Sequence, residues 1–194
     1  MNINKAIKKQ GKSINRFLLL MGFIFFILIF TYFFTHSYGT FFLTYLIIIE
    51  AIILAAIFIT INYYMLSYDV HGYKIMIKQG LIGERINISG DKVVFIGIEE
   101  REKDFQIILI STVKIRSKKS KKIDKEFLIK YGYISSYYLD ILKKGNEDSY
   151  YYIILNKGGL KKYPLINSMY KACVYAEYSD EAIKKIKEFR DGII

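Results

Sequence analysis

The sequence predicts an α+β chain, an N-terminal transmembrane helical hairpin followed by an antiparallel β-rich domain closed by a C-terminal helix. Three observations predict it. Two long apolar runs, residues 17–34 and 41–66, flank a short polar hinge. Apolar and polar residues begin to alternate with period two after Leu66. The chain then ends on an amphipathic stretch with a helix-starting serine and a helix-stopping glycine, Ser179 and Gly192. The expected organisation is a basic leader over 1–16, the hairpin over 17–66, and one domain of about 128 residues over 67–194.

Each apolar run is long enough to cross a hydrocarbon core of about 30 Å as a helix rising about 1.5 Å per residue. The first run has no charged residue, and the second has one, Glu50. Lys5, Lys8, Lys9, Lys12 and Arg16 precede the first run without an acid among them, and the hinge, residues 35–40, has no Lys or Arg. Basic segments beside a span stay cytoplasmic, so both termini are expected inside, in a multi-pass protein of the cell membrane. Tyr38 and the pair Tyr63 and Tyr64 suit the two interfaces. A secretory signal peptide is the rival for the first run, but that run is long and no small-residue cleavage site follows it. The single cysteine, Cys173, excludes an intramolecular disulfide and fits the reducing side of the membrane. In the leader, Ile3, Ile7, Ile14 and Phe17 fall near one helical face with lysines around them. The preferred reading is a leader that only holds orientation; the other is an amphipathic helix lying on an anionic leaflet.

Beyond Leu66, Tyr73, Ile75 and Ile77 alternate with Lys74, Met76 and Lys78, and Gly80 marks a turn. Glu84, Ile86 and Ile88 alternate with Arg85, Asn87 and Ser89 before a second turn at Gly90 and Asp91. Residues 93–98 and 105–113 read as further strands of an antiparallel meander, with 99–104 as an exposed polar loop. Residues 114–125 form a basic run with Asp124 its only acid, and apolar and aromatic residues return over 127–133. Residues 135–144 fit a short helix capped by Ser135 and stopped by Gly145, and fit a strand nearly as well. Residues 150–155 are a strand, Gly158 and Gly159 turn it, and 172–178 read as the last strand. Ser179 then caps a helix whose Ala182, Ile183, Ile186 and Phe189 share a face, with Asp180 and Glu181 at its positive end.

The residues Tyr73-Lys74-Ile75-Met76-Ile77-Lys78-Gln79-Gly80-Leu81-Ile82, and the phrase Ile88-Ser89-Gly90-Asp91-Lys92-Val93-Val94-Phe95-Ile96 after them, resemble the opening of bacterial pleckstrin-homology-like (PH-like) domains. Many such proteins carry two spans just before the domain. The resemblance covers about 30 residues, plus the general plan and the final helix, while residues 114–148 look like an insertion. It implies a PH-like antiparallel β-barrel or sandwich that binds or assembles without catalysis; it does not carry over phosphoinositide binding, since fold does not fix function.

No catalytic constellation of nucleophile, base and electrophile can be assembled, so no enzyme is expected. His36, His71 and Cys173 are scattered without metal-ligand spacing, and neither a metal nor another cofactor is expected. Gly11-Lys12-Ser13 mimics the end of a P-loop, but Ala6 stands where its first glycine belongs. Asn87-Ile88-Ser89 is a glycosylation sequon only by letter, because its strand is expected in the cytoplasm. Glu99, Glu100 and Glu102 read as a solvated turn.

Two features remain as site candidates. Glu50 lies deep in the second run, where an ionisable group costs about 2.5–3.5 kcal/mol and usually faces protein or water. Its readings are a protonated carboxyl bonded to a nearby carbonyl, self-association or contact with another membrane protein through the spans, and a pore lining. Lys118, Lys119, Lys121 and Lys122 lie within the basic run, between Lys114 and Arg116 before them and Lys125 after. Their readings are a solvated loop and contact with anionic headgroups of the bilayer; nucleic acid is disfavoured because no aromatic residue is interleaved for stacking. The function expected from all this is a non-enzymatic interaction or adaptor module at the cytoplasmic face of the membrane. The alternatives are a two-span effector whose β-domain senses a nucleotide second messenger and clusters the helices, and an immunity protein against a membrane-active peptide.

Overall fold

The computed structural model describes residues 2–34, 39–102, 104–144 and 149–192. His36, Tyr38 and Gly145, named above, lie outside the described residues. The apolar runs form two antiparallel helices, α1 (Ile3–Phe34) and α2 (Thr40–Tyr64), both long and apolar enough to cross a membrane. Tyr32 and Phe42 stack near the hinge, ring centroids 6.1 Å apart. Leu19, Phe23, Phe26 and Ile59 point away from the pair and are exposed, as a lipid-facing surface would be.

α1 has 32 residues and is about 48 Å long at about 1.5 Å per residue, well beyond a core of about 30 Å. The leader is its first four turns. It does not stand apart as a topogenic tail: Ile3 is fully buried, Ala6 nearly so, and Ile3 and Ile7 pack into the main core of the soluble part. The three isoleucines read as an amphipathic stripe do form a contact face, but protein covers its beginning.

The soluble part has two open sheets. No closed barrel is found among the described residues. The first sheet is the meander β1 (Leu66–His71), β2 (Lys74–Gln79) and β3 (Arg85–Ser89), running directly out of α2. Ile75, Ile77, Ile86 and Ile88 point inward, and their alternating neighbours outward, as period two requires. The second sheet holds β4 (Val93–Arg101), β5 (Asp104–Ser111), β6 (Lys121–Lys122), β7 (Tyr151–Leu155) and β8 (Glu177–Tyr178), in the order β6-β7-β5-β4-β8. Every pairing in it is antiparallel except β4 with β8.

The reason for two sheets lies in the central strands. Seven of the eight residues of β5 are buried, which needs cover on both faces. Ile107, Leu109, Ile153 and Leu155 face the first sheet together with α5 (Lys162–Ala172) and α6 (Asp180–Asp191). Phe95, Ile108, Ile110 and Tyr150 face α3 (Lys125–Lys130) and α4 (Gly132–Lys144). The segment read as an insertion is therefore the second lid of the sheet, and 135–144 is helix rather than strand.

Two further expectations are corrected. Residues 99–104 are not a free loop: β4 and β5 continue to a tight hairpin, pairing Glu99 with Gln106 and Arg101 with Asp104. Residues 172–178 are not a strand either, since only Glu177 and Tyr178 pair, beside β4. The residues before them form α5, whose buried Tyr163, Ile166 and Met169 recur every three residues. The closing helix is as expected. The Ser179 hydroxyl accepts from the Ala182 amide at 3.2 Å, and Gly192 ends α6 at φ 69°.

Candidate functional site

The basic run is built onto the edge of the second sheet. Ile115 is buried, the Ser120 amide donates to the Ser117 carbonyl at 3.1 Å, and Lys121 and Lys122 pair with Tyr152 and Tyr151. The Asp124 carboxylate accepts from the Phe127 amide at 2.8 Å and so caps α3. The result is a cleft of about 520 Å³, in the range that holds small ligands. Lys118, Lys119 and Lys121 line one wall, and Lys130 joins them from α3. Tyr152, Ile154 and Asn156 supply the β7 side. Phe127 and Tyr131 back it, with the Phe127 ring 4.0 Å from Tyr152 and 4.9 Å from Tyr131, centroid to centroid.

Charge in the cleft is mostly positive. Asp124 and Glu126 also line it, but Asp124 is engaged as the cap, and Lys118 pairs with Glu84 at 3.5 Å. Lys119, Lys121 and Lys130 have no ion pair among the described residues. Desolvation, then repulsion from Lys157, lowers the pKa of Lys119. Tyr131 is held from behind: its hydroxyl accepts from the amide of the buried Gln106 at 3.3 Å, and the Gln106 carbonyl accepts from Arg101 at 2.7 Å. Three of the four candidate lysines thus converge, while Lys122 lies outside the lining. The rings that the sequence reading found missing from the basic run arrive from α3 and β7. The cluster of aromatic residues over 127–133 was the signal for Phe127 and Tyr131, and the strand read over 150–155 held Tyr152.

The cleft lies near the C-terminal end of α2. Lys157, whose charge Lys119 feels, reaches the Gly80 turn that Asn62 of α2 also reaches, and a methyl on Gly80 would meet both side chains. The Asn62 side-chain oxygen accepts from the Leu81 amide at 3.2 Å. Helix ends leave carbonyls unpaired, and here the soluble part pairs two of them: Gly158 donates to Tyr63 at 2.9 Å and Gly80 to Met65 at 2.7 Å. At the leader, the Gln10 side chain accepts from the Leu160 amide at 3.1 Å.

A buried ion pair fastens the same junction. The Asp104 carboxylate accepts from the Tyr63 hydroxyl and from the Lys162 ammonium, each at 2.7 Å. The Lys162 side chain is fully buried and also donates to the Phe105 carbonyl, with the Phe105 ring 4.9 Å away. Burial lowers the pKa of Lys162 against the opposing pull of Asp104. Nothing in the sequence marked this group, because its three members are 41 and 58 positions apart.

Glu50 shares a face of α2 with Ile53, the most buried residue of that helix, so it belongs to the inner side of the hairpin. Both carboxyl oxygens are shielded and have no hydrogen-bond partner among the described residues. His71 is exposed beside Asp69 at 2.9 Å, and Cys173 is buried, its thiol pKa pushed up to about 12 by desolvation. No protein-family model, curated protein or solved structure matches the chain.

Proposed function

We propose that the chain is a non-enzymatic, membrane-anchored interaction module whose soluble body lies against the cytoplasmic face of the cell membrane. One observation carries this reading. Both helices run into the soluble body, α1 through Ile3 and Ile7 and α2 through the capped carbonyls and the Tyr63–Asp104 bond. A body held at both points has little freedom to leave the headgroup region, so what it binds is held there too. Five cations before the first span and none in the hinge support a cytoplasmic body.

In this reading the bilayer is the first partner. Exposed Lys118, Lys119, Lys121 and Lys122 would each contribute about 1 kcal/mol against an anionic leaflet, within a Debye length of about 8–10 Å. The run of five strands β1 to β5 and the closing helix α6 support a PH-like affiliation, in an open two-sheet form with α3, α4 and α5 added between them. The alternative in which the body senses a nucleotide gains support from the aromatic rings that the fold brings to the basic run.

The test is thiol accessibility in intact cells. Ser37→Cys should react with an impermeant reagent, and Lys121→Cys should react only after the membrane is opened. The native Cys173 is a quiet background, being buried and protonated at neutral pH. Labelling of Lys121→Cys from outside would overturn the proposal.

A further inference from the structure

We infer that the cleft between the basic run and α3 binds a phosphate ester, with its phosphate among Lys119, Lys121 and Lys130 and its organic part along Tyr152. The inference deepens the proposed function and rests on it only for the side of the membrane. Three ammonium groups without an acid partner among the described residues converge on one concave site. Compact ammonium groups on flexible stems suit the several oxygens of a phosphate. The ring of Tyr152 adds an apolar surface. A volume of about 520 Å³ has room for a nucleotide or for a phospholipid headgroup with its glycerol. Both sources are within reach, since the cleft opens to the cytoplasm in this reading and its Lys119 edge meets Lys157 at the end of α2. Asp124 is no obstacle: as the α3 cap it already accepts a backbone hydrogen bond, and it leaves the cleft with more cations than anions.

The test uses the full chain in nanodiscs. One arm titrates ADP into discs of neutral phosphatidylcholine and follows heat release. The other replaces part of the neutral lipid with phosphatidylglycerol and follows the melting temperature without nucleotide. Each arm compares the unaltered chain with Lys119→Met/Lys121→Met and with the charge-matched control Lys114→Met/Lys125→Met, whose positions lie outside the cleft lining. Saturable ADP binding that weakens tenfold or more in the cleft variant, and less than twofold in the control, supports the inference with a soluble source. Stabilisation by the anionic lipid that the cleft variant loses and the control keeps supports it with a lipid source. In either case the effect should shrink as salt rises. Equal losses in both variants would reduce the cleft to net charge and overturn the inference, as would no response in either arm. Nanodiscs expose both faces, so failure here leaves the accessibility result standing, and failure there leaves this one.

Discussion

Replacing Asp104 with asparagine probes the junction with the least change in shape. The asparagine oxygen can still accept from Tyr63, but the charge that balances Lys162 is gone. The ammonium then keeps only neutral acceptors, the asparagine oxygen and the Phe105 carbonyl, beside the Phe105 ring, in a site with no solvent exposure. Breaking one side of a buried ion pair costs about 3–5 kcal/mol, because the remaining charge is left uncompensated. In a chain of this size each kcal/mol moves the melting temperature by about 2–4 °C, so Asp104→Asn should lower it by about 6–20 °C. Circular dichroism of the full chain in nanodiscs reads this directly. Two companions sharpen it. Asp104→Asn/Lys162→Met removes both charges and should recover most of the loss, since apolar replacement of a buried pair is often neutral or better. The sign with pH is also fixed. Burial lowers the pKa of Lys162, so the folded state sheds its proton before the unfolded state does, and between the two values stability contributed by this group rises with pH. Without Asp104 the value falls further, so the variant should gain on the unaltered chain as pH climbs toward about 10. A shift under about 2 °C for Asp104→Asn, or a double variant as unstable as the single one, would refute the reasoning.

Ser179→Ala removes the α6 cap and a buried acceptor that also faces the Ile98 amide at 3.4 Å; the expected loss is about 1–2 kcal/mol, read as a lower melting temperature. Lys185 joins Glu100 at 3.0 Å and Glu188 at 3.3 Å, tying α6 to β4. Desolvation opposes its charge, but Glu100 and its other partners outweigh that and raise its pKa, while the hydrogen bond from Lys185 lowers that of Glu100. Lys185→Met should therefore cost up to about 1 kcal/mol between about pH 4.3 and 10.4. The difference from the unaltered chain should fade below that window, as Glu100 takes up its proton, and above it, as Lys185 loses its own.

The legible parts of this fold are those that local chemistry decides. The alternation of Ile75, Ile77, Ile86 and Ile88 gave their strands because one face meets the core and the other meets water. Ser179 and Gly192 bounded α6 because capping is a local interaction. The barrel was misread because β5 is covered on both faces, and a run of buried residues does not say whether its second cover is sheet or helix. α5 escaped because its buried stripe begins with Lys162, whose burial depends on an aspartate far away in sequence. The leader was read as a segment that only holds orientation because lysines dominate it, yet Ile3 is buried in a core built from strands and helices far along the chain, and its amide donates to the Gly192 carbonyl. For the candidate site, the lysines were visible and the tyrosines were not connected to them, since only the pairing of β6 with β7 sets Lys121 beside Tyr152.

The central claim is that the first turns of α1 are part of the soluble body and fix it at the membrane. Hydrogen exchange of the full chain in nanodiscs, followed by mass spectrometry at low denaturant, tests it most directly. Amides over residues 6–16 should exchange in step with those of β5, because Ile3 and Ile7 pack into its core and segments packed together open together. Ile3→Ala should cost about 2–5 kcal/mol and speed both segments at once, whereas Lys9→Ala, at an exposed position of the same helix, should change neither. Fast exchange over 6–16 while β5 stays protected, in the unaltered chain, would contradict the account.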